Sequence, residues 1–184
     1  FSLGYGWGMG IDASEIRLGE YRFLTLWNET NNWMAARDLP PKYALAISEA
    51  RSDYGQRGRP PYDDAYGMSP VNYLKLDSVP TVDDMSPVIN ALKKGQYFIT
   101  TGEVLIPYYE VRGEGETRTI IADVEWTFPL DFIEVVWGDG ENTGREIISA
   151  ADLPPFGKKR FKIPFDAQGK KWVRFAAWDV ATNG

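Results

Sequence analysis

The stretch TIIADVEWTFPLDFIEVVWGDG, from Thr119 to Gly140, contains two segments in which apolar and polar residues alternate. The apolar residues that share one face are Ile120, Ala122, Val124 and Trp126 in the first segment and Ile133, Val135 and Trp137 in the second. A period of two is typical of a β-strand that buries one side and exposes the other. Each segment therefore predicts a half-buried strand.

The same period extends along the chain on both sides of this stretch. The candidate strands are QYFITTG, VLIPYYEVRG, RTIIADVEW, DFIEVVW, KRFKIPF and KWVRFAAWDV, and turn signals such as RGEGE and GDGENTG separate them. We therefore expect an antiparallel β-sandwich of immunoglobulin-like kind. It would lack the disulfide of antibody domains, because the chain contains no Cys.

The segment SPVINALKKG, from Ser86 to Gly95, predicts a helix immediately before these strands. Ser86 is a suitable N-cap, and Pro87 suits the first helical position. The remaining helix signals are one apolar face, two basic residues in the last turn and a glycine after it: Val88, Ile89, Leu92, Lys93, Lys94 and Gly95. Residues 85–184 are thus predicted to form a helix-plus-sandwich domain.

Residues 1–84 have a different pattern, in which strand and helix signals follow one another. IDASEI, from Ile11 to Ile16, predicts a short strand, and EYRFLTLWNETNNWMAARD predicts an amphipathic helix. The apolar stripe of that helix consists of Phe23, Leu24, Trp27 and Met34. Two prolines follow, and the apolar run from Tyr43 to Ile47 predicts a buried strand of a parallel sheet. Strand, helix and strand make a βαβ pattern, so the fold class of the whole chain is α+β.

Residues 52–69, SDYGQRGRPPYDDAYGMS, lack periodicity and contain many turn-forming residues, which predicts a long loop. Such loops often carry function. Within this one, Tyr62, Asp63, Asp64 and Tyr66 either contact a substrate or form an exposed Asx turn. The next segment, VNYLKLDSV from Val71 to Val79, alternates well enough to predict a strand.

The composition of the chain restricts its chemistry. Its 184 residues include no Cys and no His, and its net charge is −6. These absences exclude disulfides, thiolate zinc sites, the Ser-His-Asp triad and imidazole metal ligands. The acidic balance and the lack of a long apolar run predict neither nucleic acid nor a membrane as a partner. Because the sequence starts with FSLGYGWGMG, without Met or a signal-peptide pattern, and stops at ATNG, we expect a piece of a longer protein.

Four carboxylates lie at the ends of the two strands of the predicted βαβ unit: Asp12, Glu15, Glu49 and Asp53. Because parallel strands of such folds place their ligands at the carboxyl ends, these side chains are candidates for binding a hard cation such as Mg²⁺ or Mn²⁺. The alternative is structural, in that they cap turns or pair with nearby arginines. Those arginines are Arg17, Arg51, Arg57 and Arg59.

Two further features have simple structural interpretations. GYGWGMG, from Gly4 to Gly10, lacks the strand and the lysine of a phosphate-binding loop, which favours a glycine-rich connector. Four tryptophans of the predicted sandwich, Trp126, Trp137, Trp172 and Trp178, have a phase that favours the core over an exposed sugar-binding platform. As a core truncation, Trp178→Ala would cost about 3 to 5 kcal/mol.

Three stretches together resemble the C-terminal half of the CehA/McbA-like metallohydrolases, a branch of the polymerase and histidinol phosphatase (PHP) superfamily. The stretches are IDASEI with its helix, YDDAYGMSPVNYLKLDSVP, and MSPVINALKKGQYFITTGEVLI leading to WVRFAAWDVATNG. The most specific piece is INALKKGQYFITTGE. The resemblance implies that residues 1–84 are the remnant of a PHP-type β/α barrel and that a small β-sandwich follows it.

The resemblance also implies a divalent metal, Mn²⁺, Zn²⁺ or Mg²⁺, and a small-molecule substrate with a phosphoester, amide or carbamate bond. In ISEARSDYGQRG, Ser52 and Asp53 match a Ser-Asp-x-His motif of the family, and Gly55 stands in place of the histidine. Asp53 is therefore the residue that the resemblance assigns to metal binding, with a metal-free chain as the alternative. Family members are often exported, and association with the missing part of the barrel is a further expectation.

Two functional hypotheses result. In the first, the chain is the C-terminal portion of a PHP-like metal-dependent hydrolase, and it is inactive alone because its metal site is incomplete. In the second, it is non-catalytic, and the β-sandwich is a binding module for a glycan, a peptide or a partner protein. Exposed apolar patches favour the first hypothesis, whereas a polar surface with an aromatic cleft favours the second.

Overall fold

The computed structural model describes residues 13–46 and 71–180, with side chains from Leu24 onward. The helices are α1 (Ala13–Ala35) and α2 (Ser86–Lys94). The strands are β1 (Val71–Leu74), β2 (Tyr97–Thr100), β3 (Val104–Arg112), β4 (Thr117–Trp126), β5 (Leu130–Gly138), β6 (Thr143–Ser149), β7 (Gly157–Asp166) and β8 (Trp172–Asp179). Two compact units share these residues: 13–23, 43–46 and 71–102 belong to one, and 24–42 and 103–180 to the other. Neither described helix has the length and apolar character needed to span a bilayer.

The first unit contains a small antiparallel sheet. β1 pairs with β2 in a register that sets Val71 opposite Thr100 and Leu74 opposite Tyr97. The strand predicted from Val71 to Val79 is therefore confirmed only in its first part, because β1 ends at Leu74.

The strand predicted from Tyr43 to Ile47 is wrong for the described residues of that run. Their backbone is irregular except for a single bridge at Leu45. The Asn72 side chain replaces part of a sheet ladder, since its Nδ2 donates to the Ala46 carbonyl and its Oδ1 accepts the Ala46 N–H, each at 2.9 Å. One amide side chain thus satisfies both backbone groups of a residue that has no strand partner there. The last residue of the run lies outside the described ranges.

The helix predicted before the sandwich is confirmed as α2, with one difference at its start. Its N-cap is Met85 rather than Ser86. The Asp84 carboxylate accepts the Ser86 N–H at 2.9 Å and so satisfies one of the free donors of the first turn. Gly95 ends the helix at φ 66°, in the left-handed conformation that glycine adopts without steric cost.

The strand predicted at IDASEI is wrong from Ala13 onward, because α1 begins at that residue. Ile11 and Asp12 lie outside the described residues. The amphipathic stripe predicted further along the helix is confirmed where side chains are described, since Met34 is buried and Trp27 is half-buried.

The predicted β-sandwich is confirmed in the second unit, but QYFITTG is not one of its strands, because it forms β2 and pairs with β1 in the first unit. Two three-stranded antiparallel sheets have the orders β3-β4-β7 and β6-β5-β8. Their inward faces share a core that includes Ile120, Ala122, Val124, Trp126, Leu130, Ile133, Val135, Phe161, Ile163 and Phe165. The alternation predicted in the Thr119–Gly140 stretch therefore gives the correct inward faces. β6 is not among the predicted strands, because its first residues belong to the turn signal GDGENTG.

The four sandwich tryptophans divide between the two faces of their sheets. Trp126 is buried in the core, and Trp137 packs against it, as predicted. Trp172 and Trp178 do not point inward, because their neighbours on β8 with the opposite phase pack against the core: Val173, Phe175 and Ala177. The prediction of a core position is wrong for these two tryptophans. They lie on the outer face of the β6-β5-β8 sheet.

Candidate ligand-binding cleft

The residues predicted to bind a metal are not gathered in the described part of the chain. Asp12, Glu49 and Asp53 lie outside it, as do the YDDAYG loop and the GYGWGMG segment. Glu15 lies in the first turn of α1 rather than at the end of a strand. Within residues 13–46 and 71–180, no group of three or more His, Cys, Asp or Glu side chains is arranged to hold a metal ion.

The outer face of the β6-β5-β8 sheet carries a buried charge network instead. Val136 on β5 lies opposite Arg145 on β6 and Arg174 on β8, so both guanidinium groups lie diagonally from Glu134. The Arg174 Nη1 is 3.3 Å from one Glu134 oxygen, and the Arg145 Nη1 is 3.5 Å from the other. The Glu134 side chain is only 7% exposed and that of Arg174 only 11%. This sheet face is therefore both charged and covered.

The second half of α1 covers this face. The Arg174 Nε donates to the Asn28 Oδ1 at 3.0 Å, and the Arg174 guanidinium lies 5.6 Å from the ring centroid of Trp27. The Asn28 amide therefore gives the buried guanidinium a second acceptor besides Glu134. A polar residue is therefore needed at this helix position, because an apolar one would leave the Arg174 Nε–H without its acceptor.

One turn further along the helix, Asn32 connects α1 to the hairpin of β5 and β6. Its Oδ1 accepts the backbone N–H of Gly140 at 2.8 Å and the indole N–H of Trp172 at 3.3 Å. A Cβ on Gly138 would collide with the Asn32 and Trp172 side chains. Glycine at this position is therefore what allows the helix and the hairpin to approach this closely.

The hairpin turn is held together by hydrogen bonds between the Asp139 side chain and the turn's own backbone. The Asp139 Oδ1 accepts the N–H groups of Glu141 and Asn142, each at 2.7 Å, and the Asp139 N–H donates to the Asn142 carbonyl at 3.1 Å. The backbone N–H groups of Asn142 and Glu141 lower the pKa of the Asp139 carboxyl group below its ordinary value. The turn therefore holds its fixed shape while this carboxylate is ionised.

A cleft of about 530 Å³ lies between the end of α1 and this turn. The helix side contributes Glu29, Asn32, Trp33 and Arg37, and the turn contributes residues 140–143. Trp33 is 53% exposed. The Arg37 guanidinium lies 4.0 Å from the centroid of its ring, and its Nη1 donates to the Trp33 carbonyl at 3.1 Å. The cleft volume falls within the roughly 300–1,000 Å³ of small-molecule sites.

The cleft combines one aromatic surface with hydrogen-bonding groups of both kinds. Glu29 and Glu141 supply acceptors, Arg37 supplies donors, and the Asn142 amide supplies both. No prediction from sequence identified this site. The available signal was Trp33 itself, which lies beside the apolar stripe of α1 rather than in it, with Glu29 and Arg37 four residues away on each side.

Comparison of the chain with models of protein families, with curated proteins and with solved structures finds no match.

Gly140→Ala is expected to destabilise the sandwich by about 2 to 3 kcal/mol. Gly140 has φ 103°, and an added Cβ would lie 3.2 Å from the Cα of Ala36 on the helix side of the cleft. Urea unfolding should show the loss. Gly169→Ala is the control, because its φ of 67° is also positive but its surroundings are open, and we expect a loss of about 1 kcal/mol there. Equal losses would mean that the turn does not pack against Ala36.

Proposed function

We propose that the chain is the C-terminal portion of a PHP-like metal-dependent hydrolase of phosphoester, amide or carbamate bonds. In this proposal the described sandwich is its accessory domain and is of immunoglobulin-like kind, and residues 1–84 are the remnant of the β/α barrel. The observation that supports it is the order of elements from Ser86 onward: a helix ended by a left-handed glycine, a short strand, and then an antiparallel sandwich. The most specific part of the resemblance lies in this segment.

The metal chemistry of the proposal depends on Asp53. With neither His nor Cys, the chain offers mainly oxygen ligands, which fit Mg²⁺ or Mn²⁺ better than Zn²⁺. A bound metal would supply a water activated for attack on a phosphoryl or carbonyl centre. Asp53 would hold the ion as a terminal ligand. Because a lone carboxylate binds a divalent ion weakly in water, we expect this chain alone to have no hydrolase activity.

If Asp53 is solvated, Asp53→Asn is expected to change the free energy of unfolding by less than about 0.5 kcal/mol and to remove the weak binding of Mn²⁺ that the proposal assigns to this carboxylate. A ligand that binds only the native state raises stability, so a thermal melt with and without Mn²⁺ should accompany calorimetric titration with Mn²⁺ and Zn²⁺. Asp152→Asn is the matched control, since Asp152 is an exposed carboxylate between β6 and β7. A stability loss above about 2 kcal/mol would show that Asp53 is a structural cap and contradict its role in metal binding.

The second candidate function is a non-catalytic binding module for a glycan, a peptide or a partner protein. The cleft beside Trp33 favours it, because an exposed aromatic side chain among convergent polar groups is a common feature of binding sites. This candidate places the function in the second unit and does not require Asp53. The Asp53→Asn variant should therefore retain whatever binding the sandwich has, whereas the hydrolase proposal assigns function to Asp53.

A further inference from the structure

We propose that the cleft between α1 and the β5–β6 turn binds a neutral saccharide. This inference rests on the second candidate function and narrows it to one class of ligand and one site. It is independent of the metal site of the hydrolase proposal.

The shape and surface of the cleft match the two sides of a sugar ring. A pyranose presents a face of C–H groups and a rim of hydroxyl groups that both donate and accept hydrogen bonds. The half-exposed indole of Trp33 offers an apolar, flat surface for the former. Glu29, Glu141 and Asn142 offer acceptors and an amide for the latter.

The charge of the cleft disfavours an anionic ligand. Two carboxylates, Glu29 and Glu141, line it against the single guanidinium of Arg37. That guanidinium is already engaged with the ring and the backbone carbonyl of Trp33. A phosphate or carboxylate would therefore approach more negative than positive charge.

A cationic ligand would be attracted by Glu29 and Glu141, but the aromatic ring on which it would stack already carries a cation. Cations bind the face of a tryptophan ring, and Arg37 already occupies one face at 4.0 Å. A second cation on the other face would be repelled across the ring by Arg37. A neutral polyol meets no charge repulsion from either sign. It can contact the exposed part of the Trp33 side chain and form hydrogen bonds with the charged side chains.

Hydrogen bonds within the protein also hold the walls of the cleft in place. The turn that forms one wall is fixed by the Asp139 carboxylate, and Asn32 joins it to the helix through the Gly140 N–H. Asn32 is buried, so this connection is shielded from water. The positions of Trp33 and Asn142 relative to each other are therefore set before a ligand arrives, which lowers the entropic cost of binding.

Titration of the chain with cellotetraose, maltotetraose, mannotetraose and the anionic tetragalacturonate, followed by tryptophan fluorescence and NMR, tests the inference. We expect at least one neutral tetrasaccharide to bind, and Trp33→Ala to weaken that binding at least tenfold, while Trp33→Tyr retains part of it. Leu26→Ala is the matched control, because Leu26 is equally exposed at 53% on the same helix but does not line the cleft. Thermal melts confirm that each variant is folded.

Three results would overturn the inference, and each has a different consequence for the binding-module candidate. Binding of a neutral sugar that survives Trp33→Ala and Asn142→Ala would place the site elsewhere and leave the binding-module candidate intact. Stronger binding of tetragalacturonate than of the neutral sugars would contradict the charge argument, and with it the assignment of a neutral ligand. No saccharide binding at millimolar concentration would overturn the ligand class, and a parallel titration with a library of unstructured peptides would then decide whether the binding-module candidate also fails.

Discussion

Replacement of Arg174 by alanine is expected to lower the free energy of unfolding by about 3 to 5 kcal/mol, because it leaves the buried Glu134 carboxylate without its closest cationic partner. Glu134 is only 7% exposed, and the remaining guanidinium, that of Arg145, lies 3.5 Å away on a side chain that is 49% exposed. Arg145 alone therefore does not compensate for the lost charge. Urea unfolding followed by tryptophan fluorescence and by circular dichroism measures the effect.

Burial and charge act on Arg174 in opposite directions. Burial lowers the pKa of its guanidinium below the ordinary value, and the Glu134 carboxylate opposes this effect. The charged form of Arg174 is thus stable in the interior because of Glu134, and the Asn28 amide adds a hydrogen bond at 3.0 Å. Removing either charged partner exposes the desolvation cost of the other.

Two further variants distinguish a buried pair from an ordinary surface ion pair. Glu134→Leu combined with Arg174→Met should recover most of the loss, because well-packed apolar residues replace a buried ion pair at little net cost. Arg112→Ala should have no measurable effect, since the Arg112–Glu110 pair lies at 2.8 Å but its side chains are 64% and 35% exposed. A double variant as unstable as Arg174→Ala would contradict the account, because the loss would then come from packing alone.

The sandwich could be predicted from sequence because its strands alternate in one clear phase. Residues 119–126 and 131–137 have inward faces that the pattern identifies correctly. β6 could not be predicted, because Thr143 and Gly144 resemble the end of a turn. The residues that remain after them are too few for their alternation to indicate a strand. Tertiary pairing with β5 supplies what the local pattern lacks.

The sequence contains a signal for the start of α1 that contradicts the strand predicted at IDASEI. Asp12 and Glu15 are three residues apart, the spacing of a capping box, and this favours a helix that begins at Ala13. The apolar ends of the short IDASEI segment suggested a strand instead. A six-residue segment is too short for its period to decide between the two.

The cleft could not be predicted, because it depends on which elements meet. Trp33 and Asn142 are far apart in the chain, and their proximity follows from Asn32 binding the Gly140 backbone across that distance. Asn32 lies among polar residues in the middle of α1, and it is buried against the sheet with its Oδ1 bound to the Gly140 N–H. The spacing of apolar residues indicates which of them are buried. It gives no information about a buried amide whose hydrogen bonds are satisfied.

Trp126→Ala is expected to destabilise the protein by about 3 to 5 kcal/mol, since it removes a large side chain from the sandwich core. Trp126 is 6% exposed, and its Nε1 donates to the Pro154 carbonyl at 2.8 Å. The neighbouring backbone is shaped around the ring, because a Cβ on Gly157 would collide with it. The cavity cannot close easily while β4 and β7 remain paired, so most of the loss should persist after relaxation. Denaturant unfolding measures it.

Trp178 provides the matched comparison, and its expected loss is about 1 to 2 kcal/mol, because it lies on the outer sheet face, where its ring stacks on Phe132. Replacement by phenylalanine distinguishes Trp126 from Trp178 further. Trp126→Phe should cost about 1 to 2 kcal/mol, because the Pro154 carbonyl loses its donor. Trp178→Phe should be close to neutral, because the Trp178 Nε1 is buried without a hydrogen-bond partner among the described residues. If Trp178→Ala proved as costly as Trp126→Ala, the outer face around Trp178 and Phe132 would be a second core rather than a peripheral contact.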